Sequence, residues 1–346
     1  MTQKTGLLLL LCVALTLTNL RSQPSKITKM AVPVNPNASP EARKLLNYLY
    51  SINGKSTLTG VHNYLGKMSV ATDSVYKITG KYPAIWGSDF GFSDSTHDID
   101  NIKYRPKLIE EIKKQYNRGS IIVITYHQAN PLISEPCQFE SGVQSKLTDE
   151  QWKNLTTPGS EIYNAWKKQM DIIAGYLKQL QDAKIPILFR PYHENNGTWF
   201  WWGGRPGESG FIALWKQLFE YYTKECKLNN LIWVWSSDKP WPGVESFYPG
   251  DKFVDIVGSD IYPVKDTSVV FRQEWWVTMK KMAGNKPLAL TENSAITSPE
   301  ILKKQPWLWF MTWDDLLFSS NTTEEIRQLY NSEHVITRDE LPDWKK

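Results

Sequence analysis

Two glutamates stand where short apolar runs stop. Glu194 follows the run 185–189 in Phe189-Arg190-Pro191-Tyr192-His193-Glu194-Asn195-Asn196-Gly197-Thr198-Trp199-Phe200-Trp201-Trp202-Gly203-Gly204. Glu292 closes Leu288-Ala289-Leu290-Thr291-Glu292-Asn293-Ser294. A carboxyl packed among aromatic rings has its pKa raised and can donate a proton near neutral pH. Indole rings suit the flat, CH-rich faces of sugars, so the 199–202 block reads as a ligand wall beside the first acid. Two acids flanking one bond are what glycoside cleavage needs: one protonates the leaving oxygen, and the other attacks or activates water.

Other chemistries find less support. His62, His127 and His193 end separate apolar runs, and a three-histidine metal site is geometrically conceivable. No His-Glu-x-x-His and no close-spaced pair accompanies them. There is no Gly-x-Ser-x-Gly for a nucleophilic serine, no Gly-x-Gly-x-x-Gly after an early strand and no phosphate loop. The reading therefore includes no metal and no cofactor.

The elements that must position the two acids follow a rhythm. Eight apolar runs, at 58–61, 83–86, 121–125, 185–189, 231–235, 254–257, 287–290 and 308–311, alternate with amphipathic stretches of helical length. Clear helices are predicted over 104–118, 162–183 and 210–226, with others over 40–52, 269–282 and 323–330. The unit after the fifth run is weak, because Pro240, Pro242 and Pro249 leave little room for a helix. Residues 131–158 form too long a connection to be a plain turn, and such loops are usually functional. Eight strands separated by helices fit an α/β chain folded as a single-domain (β/α)8 TIM barrel. In a barrel the chemistry sits at the C-terminal strand ends. Those ends read His62 and Asn63, Asp89, Tyr126 to Gln128, His193 to Asn195, Trp235 and Ser236, Asp260 and Tyr262, Glu292 and Asn293, then Trp313 and Asp314. Strands four and seven face each other across the mouth, which sets Glu194 opposite Glu292.

The 346 residues are enough for one large barrel, with 41% hydrophobic and 22% charged residues. Residues 1–22 read as an export signal: Lys4, an apolar run from Leu7 to Leu17 broken only by Thr16, then polar residues. The run is too short for a membrane-spanning helix, and the product is expected in the periplasm or outside the cell. Removing Lys4 and Arg21 leaves 38 basic against 36 acidic residues and no basic run, which argues against nucleic-acid or membrane partners. Residues 23–39 form an arm or linker, and 40–346 the barrel. Cys137 and Cys226 are expected to lie too far apart to pair, and the chain is read as a monomer.

These strand ends resemble the family 26 glycoside hydrolases, β-mannanases and relatives within the large 4/7 barrel clan. The likeness rests on Arg190 through Gly203, on Thr59-Gly60-Val61-His62-Asn63, on Tyr126-His127 with Asn130-Pro131, on Asp260-Ile261-Tyr262 and on Thr291-Glu292. It runs from about residue 40 to the C-terminus. The resemblance implies a retaining endo-β-1,4-mannanase acting on a mannan-type polysaccharide, with Glu194 as acid/base and Glu292 as nucleophile about 5–5.5 Å apart. It places His127, His193, Trp199, Tyr262 and Trp313 around the cleavage point, with Asp260, His62 and Trp202 as further substrate-binding positions, Trp202 either continuing the wall or packing beneath it. Arg190 and Asn195 would support the acids from behind. A mixed-linkage β-1,3-1,4-glucanase or a β-1,3-xylanase would share the mechanism, and a non-catalytic glycan-binding barrel would share the scaffold. After Trp313 the chain has Asp314-Asp315, where some mannanases of the family carry a basic residue, so that contact does not transfer.

Overall fold

A computed structural model describes residues 31–94, 99–264 and 269–345. The expected export signal and the first part of the expected arm lie outside the described residues. Eight parallel strands close into a barrel in sequence order: β1 (Gly60–Asn63), β2 (Ile85–Asp89), β3 (Ile121–Tyr126), β4 (Ile187–Pro191), β5 (Leu231–Asp238), β6 (Ile256–Ile261), β7 (Leu288–Asn293) and β8 (Phe310–Trp313). Helices Val70–Thr79, Arg105–Asn117, Glu161–Asp182, Phe211–Glu220 and Gln273–Ala283 fall between strands, and Thr323–Tyr330 follows β8. This is the expected (β/α)8 architecture. The run at 58–61 divides. Thr57–Leu58 pairs with Val335–Ile336 outside the barrel, and the barrel strand starts at Gly60. Any Cβ at Gly60 would come within 2.6 Å of the Phe310 carbonyl oxygen, so only glycine lets β1 close against β8 there.

Side-chain alternation sorts each strand into two faces. Trp86, Ile122, Ile124, Phe189, Trp233, Val257 and Leu290 join the core shared with the surrounding helices. Ile121, Val123, Leu188, Ile232, Val234, Ile256, Ala289 and Met311 fill the barrel interior. That interior cluster continues into Leu45, Leu46 and Leu49 of helix Pro40–Ile52, which Ser39 caps through a bond from Ala42 N. The described part of the arm is tied down just before it: Val34 N donates to Asp255 Oδ1 (2.8 Å) and Ser39 N to the Asn229 carbonyl (2.7 Å).

Toward the C-terminal ends the same inward positions turn polar. β4 runs from Leu188 to Arg190, β5 from Val234 to Ser236, and β6 from Ile256 past Gly258 to Asp260. On β7 the register shifts: Ser259 pairs with Leu290, but Asp260 pairs with Glu292, leaving Thr291 as an extra residue. The β8 side shows the same insertion, with Leu290 opposite Phe310 and Asn293 opposite Thr312. Leu290 faces the helices, so strict alternation would send Glu292 the same way. The bulge turns it into the barrel mouth instead.

The connection after β5 holds only the 3-10 turn Val244–Phe247, as its prolines predict. The long connection after β3 has structure of its own, a π-type turn at Phe139–Val143 and helix Asp149–Leu155, closed by a reciprocal Thr148–Gln151 cap. Cys137 and Cys226 are free. Among the described residues no helix is long and apolar enough to cross a membrane.

Candidate active site

The two glutamates meet at the barrel mouth, with an oxygen of each, and one of Asp260, all within 4.8 Å of one another. Each stands in a different electrical setting. Glu292 shares Arg190 with Asp260: the fully buried guanidinium donates to Glu292 Oε1, and to Asp260 Oδ2 (3.1 Å) and Ser236 Oγ (3.2 Å). Tyr262 OH donates to the other Glu292 oxygen at 2.7 Å, and His193 Nε2 lies 3.7 Å from Oε1. Thr291, the extra residue of the bulge, donates to Asp260 Oδ1 at 2.6 Å. Burial pushes Asp260 up to about 7 against the pull of Arg190. Burial, with the charge of Glu292, holds the Tyr262 hydroxyl well above its usual range, so it stays a donor.

Among the described residues Glu194 has no ion pair. It sits just past β4 at φ 52°, with Tyr192 at φ 49°, a backbone rarely adopted by non-glycine residues and common at functional sites. The turn is held by Glu194 N donating to the Ser236 carbonyl (3.1 Å) and by Asn195 Nδ2 donating to the same oxygen (2.7 Å). The Trp199 indole N–H donates to Glu194 Oε2 at 2.6 Å. Burial pushes the Glu194 pKa well above the carboxylate range, and the charges of Glu292, Asp260 and Asp238 add to it. Trp199 reaches the acid by lying across Gly197, where a Cβ would come within 2.3 Å of the ring.

A cleft of about 500 Å³ opens above the pair. Tyr64, Phe92, Phe139, Trp199, Phe200, Tyr262 and Trp313 form its aromatic walls, with His127, His193, Asp100, Glu140, Gln144 and Asp315 as polar groups. A second hollow of about 560 Å³, lined by Trp152 and Arg205, contains neither glutamate.

The structure thus brings Glu194, Glu292, His127, His193, Trp199, Tyr262 and Trp313 to one cleft, with Arg190 and Asn195 behind it. Three expected substrate contacts lie deeper. Trp202 is fully buried, stacked on Phe200 at 4.4 Å and donating to the His193 carbonyl (2.8 Å), so it supports the wall from beneath. Trp201 is likewise buried and donates to the Gln128 carbonyl. The aromatic block is therefore half cleft and half core. Asp260 is sealed under Arg190 and Thr291 and touches no free volume. His62 is buried with its ring stacked beneath Trp313 at 3.6 Å. It props the indole and does not face the cleft.

Sequence reasoning did not find two pairings. Asp89 engages His127, and Arg105 forms a buried two-pronged ion pair with Glu135 (2.7 and 2.8 Å). Arg105 also holds the carbonyls of Phe90 and Gly91, and Tyr126 OH donates to Glu135, which ties the β2 and β3 loops together. Alternation along β2, which puts Asp89 inward with Ile85 and Gly87, is a signal for the first. The second leaves no trace in the sequence. Among the described residues only Glu194, Asp260 and Glu292 converge as a group of possible metal ligands, and a cation there would have to displace Arg190 from two of them.

A closed parallel barrel with facing glutamates on β4 and β7 has the layout of a glycoside hydrolase. Residues 34–340 match the model of glycosyl hydrolase family 26, and the chain belongs to that family. It is 31% identical over 321 residues to a mannan endo-1,4-beta-mannosidase of Thermothelomyces thermophilus, covering 90% of this chain and 63% of that relative's length. The chain thus spans less than two thirds of that protein. Among solved structures, GH26A of a Muricauda species superposes with a TM-score of 0.83 at 36% identity, covering 89% of this chain and 99% of that one. A β-mannanase from a symbiotic protist of the termite Reticulitermes speratus, complexed with a gluco-manno-oligosaccharide, gives 0.79 at 28% identity over 91% and 98%.

Proposed function

We propose that the chain is a secreted, monomeric, retaining endo-β-1,4-mannanase that cuts internal bonds of mannan, glucomannan or galactomannan. The observation that carries the reading is the divergence of the two glutamates within 4.8 Å of each other: one ion-paired, the other unpaired with a raised pKa. That proximity suits a nucleophile and an acid sharing one glycosidic bond, as in a retaining enzyme. Protonated Glu194 donates to the leaving oxygen as Glu292 attacks the anomeric carbon. The glycosyl–enzyme ester removes the charge of Glu292, and with it part of what holds the Glu194 proton-affinity high. Glu194, now a carboxylate, takes a proton from the incoming water. Tyr262, released from the full carboxylate charge, remains beside the reacting oxygen. The named mannanases among the relatives support the choice of sugar. Export rests on residues 1–22.

Galactomannan, glucomannan, barley β-glucan and β-1,3-xylan, assayed with product sizing, test the substrate. Cleavage of β-glucan without action on galactomannan overturns the mannanase reading in favour of the glucanase. Proton NMR of the first-formed products tests retention. Near-wild-type turnover by Glu194→Ala or Glu292→Ala would sink the site assignment, and no turnover of any of these glycans by the wild type would favour a binding barrel. Amino-terminal sequencing of the exported product checks the signal.

A further inference from the structure

Three histidines crowd the barrel mouth, and among the described residues only His127 has a carboxylate within hydrogen-bond distance of a ring nitrogen; Glu292 lies 3.7 Å from His193 Nε2. His127 and His193 meet edge to face with ring centroids 4.5 Å apart, and His62 lies under Trp313. Among the described residues neither ring nitrogen of His62 has a hydrogen-bond partner. His193 has Thr125 Oγ1 at 3.4 Å from Nδ1. His127 is different: its Nδ1 stands 2.7 Å from Asp89 Oδ2, and its backbone N–H donates to the same oxygen at 3.2 Å. The other Asp89 oxygen accepts from Gly91 N. Asp89 is paired in register with Thr125, two residues before His127, so the barrel itself delivers the carboxylate to that ring.

We infer that Asp89 is a positioning residue that makes His127 a hydrogen-bond donor, through Nε2, to a hydroxyl oxygen of the sugar bound in the cleft. This rests on the glycan-cleaving reading of the same cleft. With Nδ1 taken by Asp89, Nε2 is the nitrogen left for the cavity that His127 lines. A neutral ring held this way offers only a lone pair at Nε2, whereas the imidazolium offers an N–H. Charge therefore decides what the sugar meets. Burial pushes all three rings toward the neutral form. In His193 burial dominates, with Arg190 and His127 acting in the same direction, and in His62 burial prevails although Asp89 opposes it. In His127 burial is outweighed by the charge and hydrogen bond of Asp89, with Glu292 and Asp100 acting in the same direction, so its pKa is raised. The groups around the ring are Asp89 of β2, Asp100 of the loop behind it, His62 of β1, Arg190 and His193 of β4 and its end, Glu292 of β7, and Glu140 at the cleft rim. The edges of Phe92, Phe139, Phe200 and Trp313, with centroids 5.4–6.4 Å away, shield the ring from water, where a charge-assisted bond counts for more.

D89N separates charge from orientation, because the amide oxygen can still accept from Nδ1. Histidine ring-nitrogen NMR titration, with the His127 signal assigned by His127→Gln, is expected to place the wild-type midpoint above the ordinary 6.5 and the D89N midpoint below it. At a pH between the two measured midpoints, where only the wild-type ring is charged, D89N should bind mannotriose about tenfold more weakly, and the gap should close above the wild-type midpoint, seen in KM with kcat within about threefold. An unchanged His127 midpoint in D89N, or a KM profile that does not follow it, overturns the inference. If D89N does not fold, the wild-type titration decides alone: a His127 midpoint below 6.5 is fatal. Failure of the wild type to bind any β-1,4-linked oligosaccharide would instead refute the glycan reading, while the titration still reports on the Asp89–His127 pair.

Discussion

The ends of β4 and β7 carry the same side chain and make opposite use of it. At the β7 end a bulge swings Glu292 into the mouth, where Arg190 and Tyr262 engage both of its oxygens. At the β4 end a left-handed turn lifts Glu194 above the same guanidinium, leaving it one indole N–H and no cation. Proximity alone would make the acids interchangeable. Arg190 breaks the symmetry, because it bonds Glu292 and Asp260 but does not reach Glu194. A fold with one inward arginine on β4 thereby assigns two roles to one residue type.

The largest expected effect removes the charged partner. Glu292→Gln should lower kcat by at least about 10⁴-fold on any cleaved glycan. It should also lower the pKa of Glu194, read by infrared difference spectroscopy of the protonated carboxyl, since one of the charges raising it is gone. A Glu194 titration unmoved by this change would mean that burial, with Asp260 and Asp238, sets it without Glu292. Arg190→Leu comes next and tests the symmetry breaker. It leaves Asp260 and Glu292 buried together without a counter-charge, a loss of about 3–5 kcal/mol in denaturant unfolding. A loss under about 1 kcal/mol would show that water or protonation replaces the arginine.

The acids should also part in stability. The folded pKa of Glu194 lies above its unfolded value, so its contribution is present at low pH and is lost as pH rises through that raised pKa. Glu194→Gln should therefore abolish part of that alkaline decline and raise Tm at pH 8 by about 2–4 °C, while kcat falls about 10²–10⁴-fold. Glu292→Gln should lower Tm, because it weakens a buried ion pair. Equal shifts of the same sign in scanning calorimetry would erase the contrast between the two strand ends.

Much of this was legible in the sequence, and the boundary of legibility is physical. Apolar runs ending in polar residues located β4 and β7, and barrel closure supplied the pairing of Glu194 with Glu292. The bulge at Thr291 was invisible, because one inserted residue in an apolar strand leaves the composition of the run unchanged. The aromatic block misled in part: burial of Trp201 and Trp202 depends on which way the turn at Gly203 and Gly204 folds back, and an indole serves core and cleft equally well. His62 and Trp313 are 251 positions apart, so their stacking appears only once β1 meets β8. The Arg105–Glu135 tie joins two loops, where no periodicity exists to betray it.

The smallest effect concerns the one hydrogen bond that the Glu194 carboxyl has among the described residues. The Trp199 indole N–H favours the charged form of the acid, opposing burial. Trp199→Phe keeps an aromatic surface and removes that donor, so the Glu194 pKa should rise further. In the proposed role of Glu194 as the acid, activity is lost as pH climbs through its pKa, and the alkaline limb of kcat/KM should move to higher pH. Gly197→Ala should do the same by a different route. Its methyl group would sit within 2.3 Å of the ring edge, and the flexible indole, not the backbone, is what gives way. Each variant should lose about tenfold in kcat/KM, the scale of one charge-assisted hydrogen bond. If Trp199→Phe shifts the limb and Gly197→Ala does not, the indole finds another way to the acid. If both shift it downward, the bond to Trp199 stabilises the protonated acid, and the β4 end is less different from the β7 end than its geometry implies.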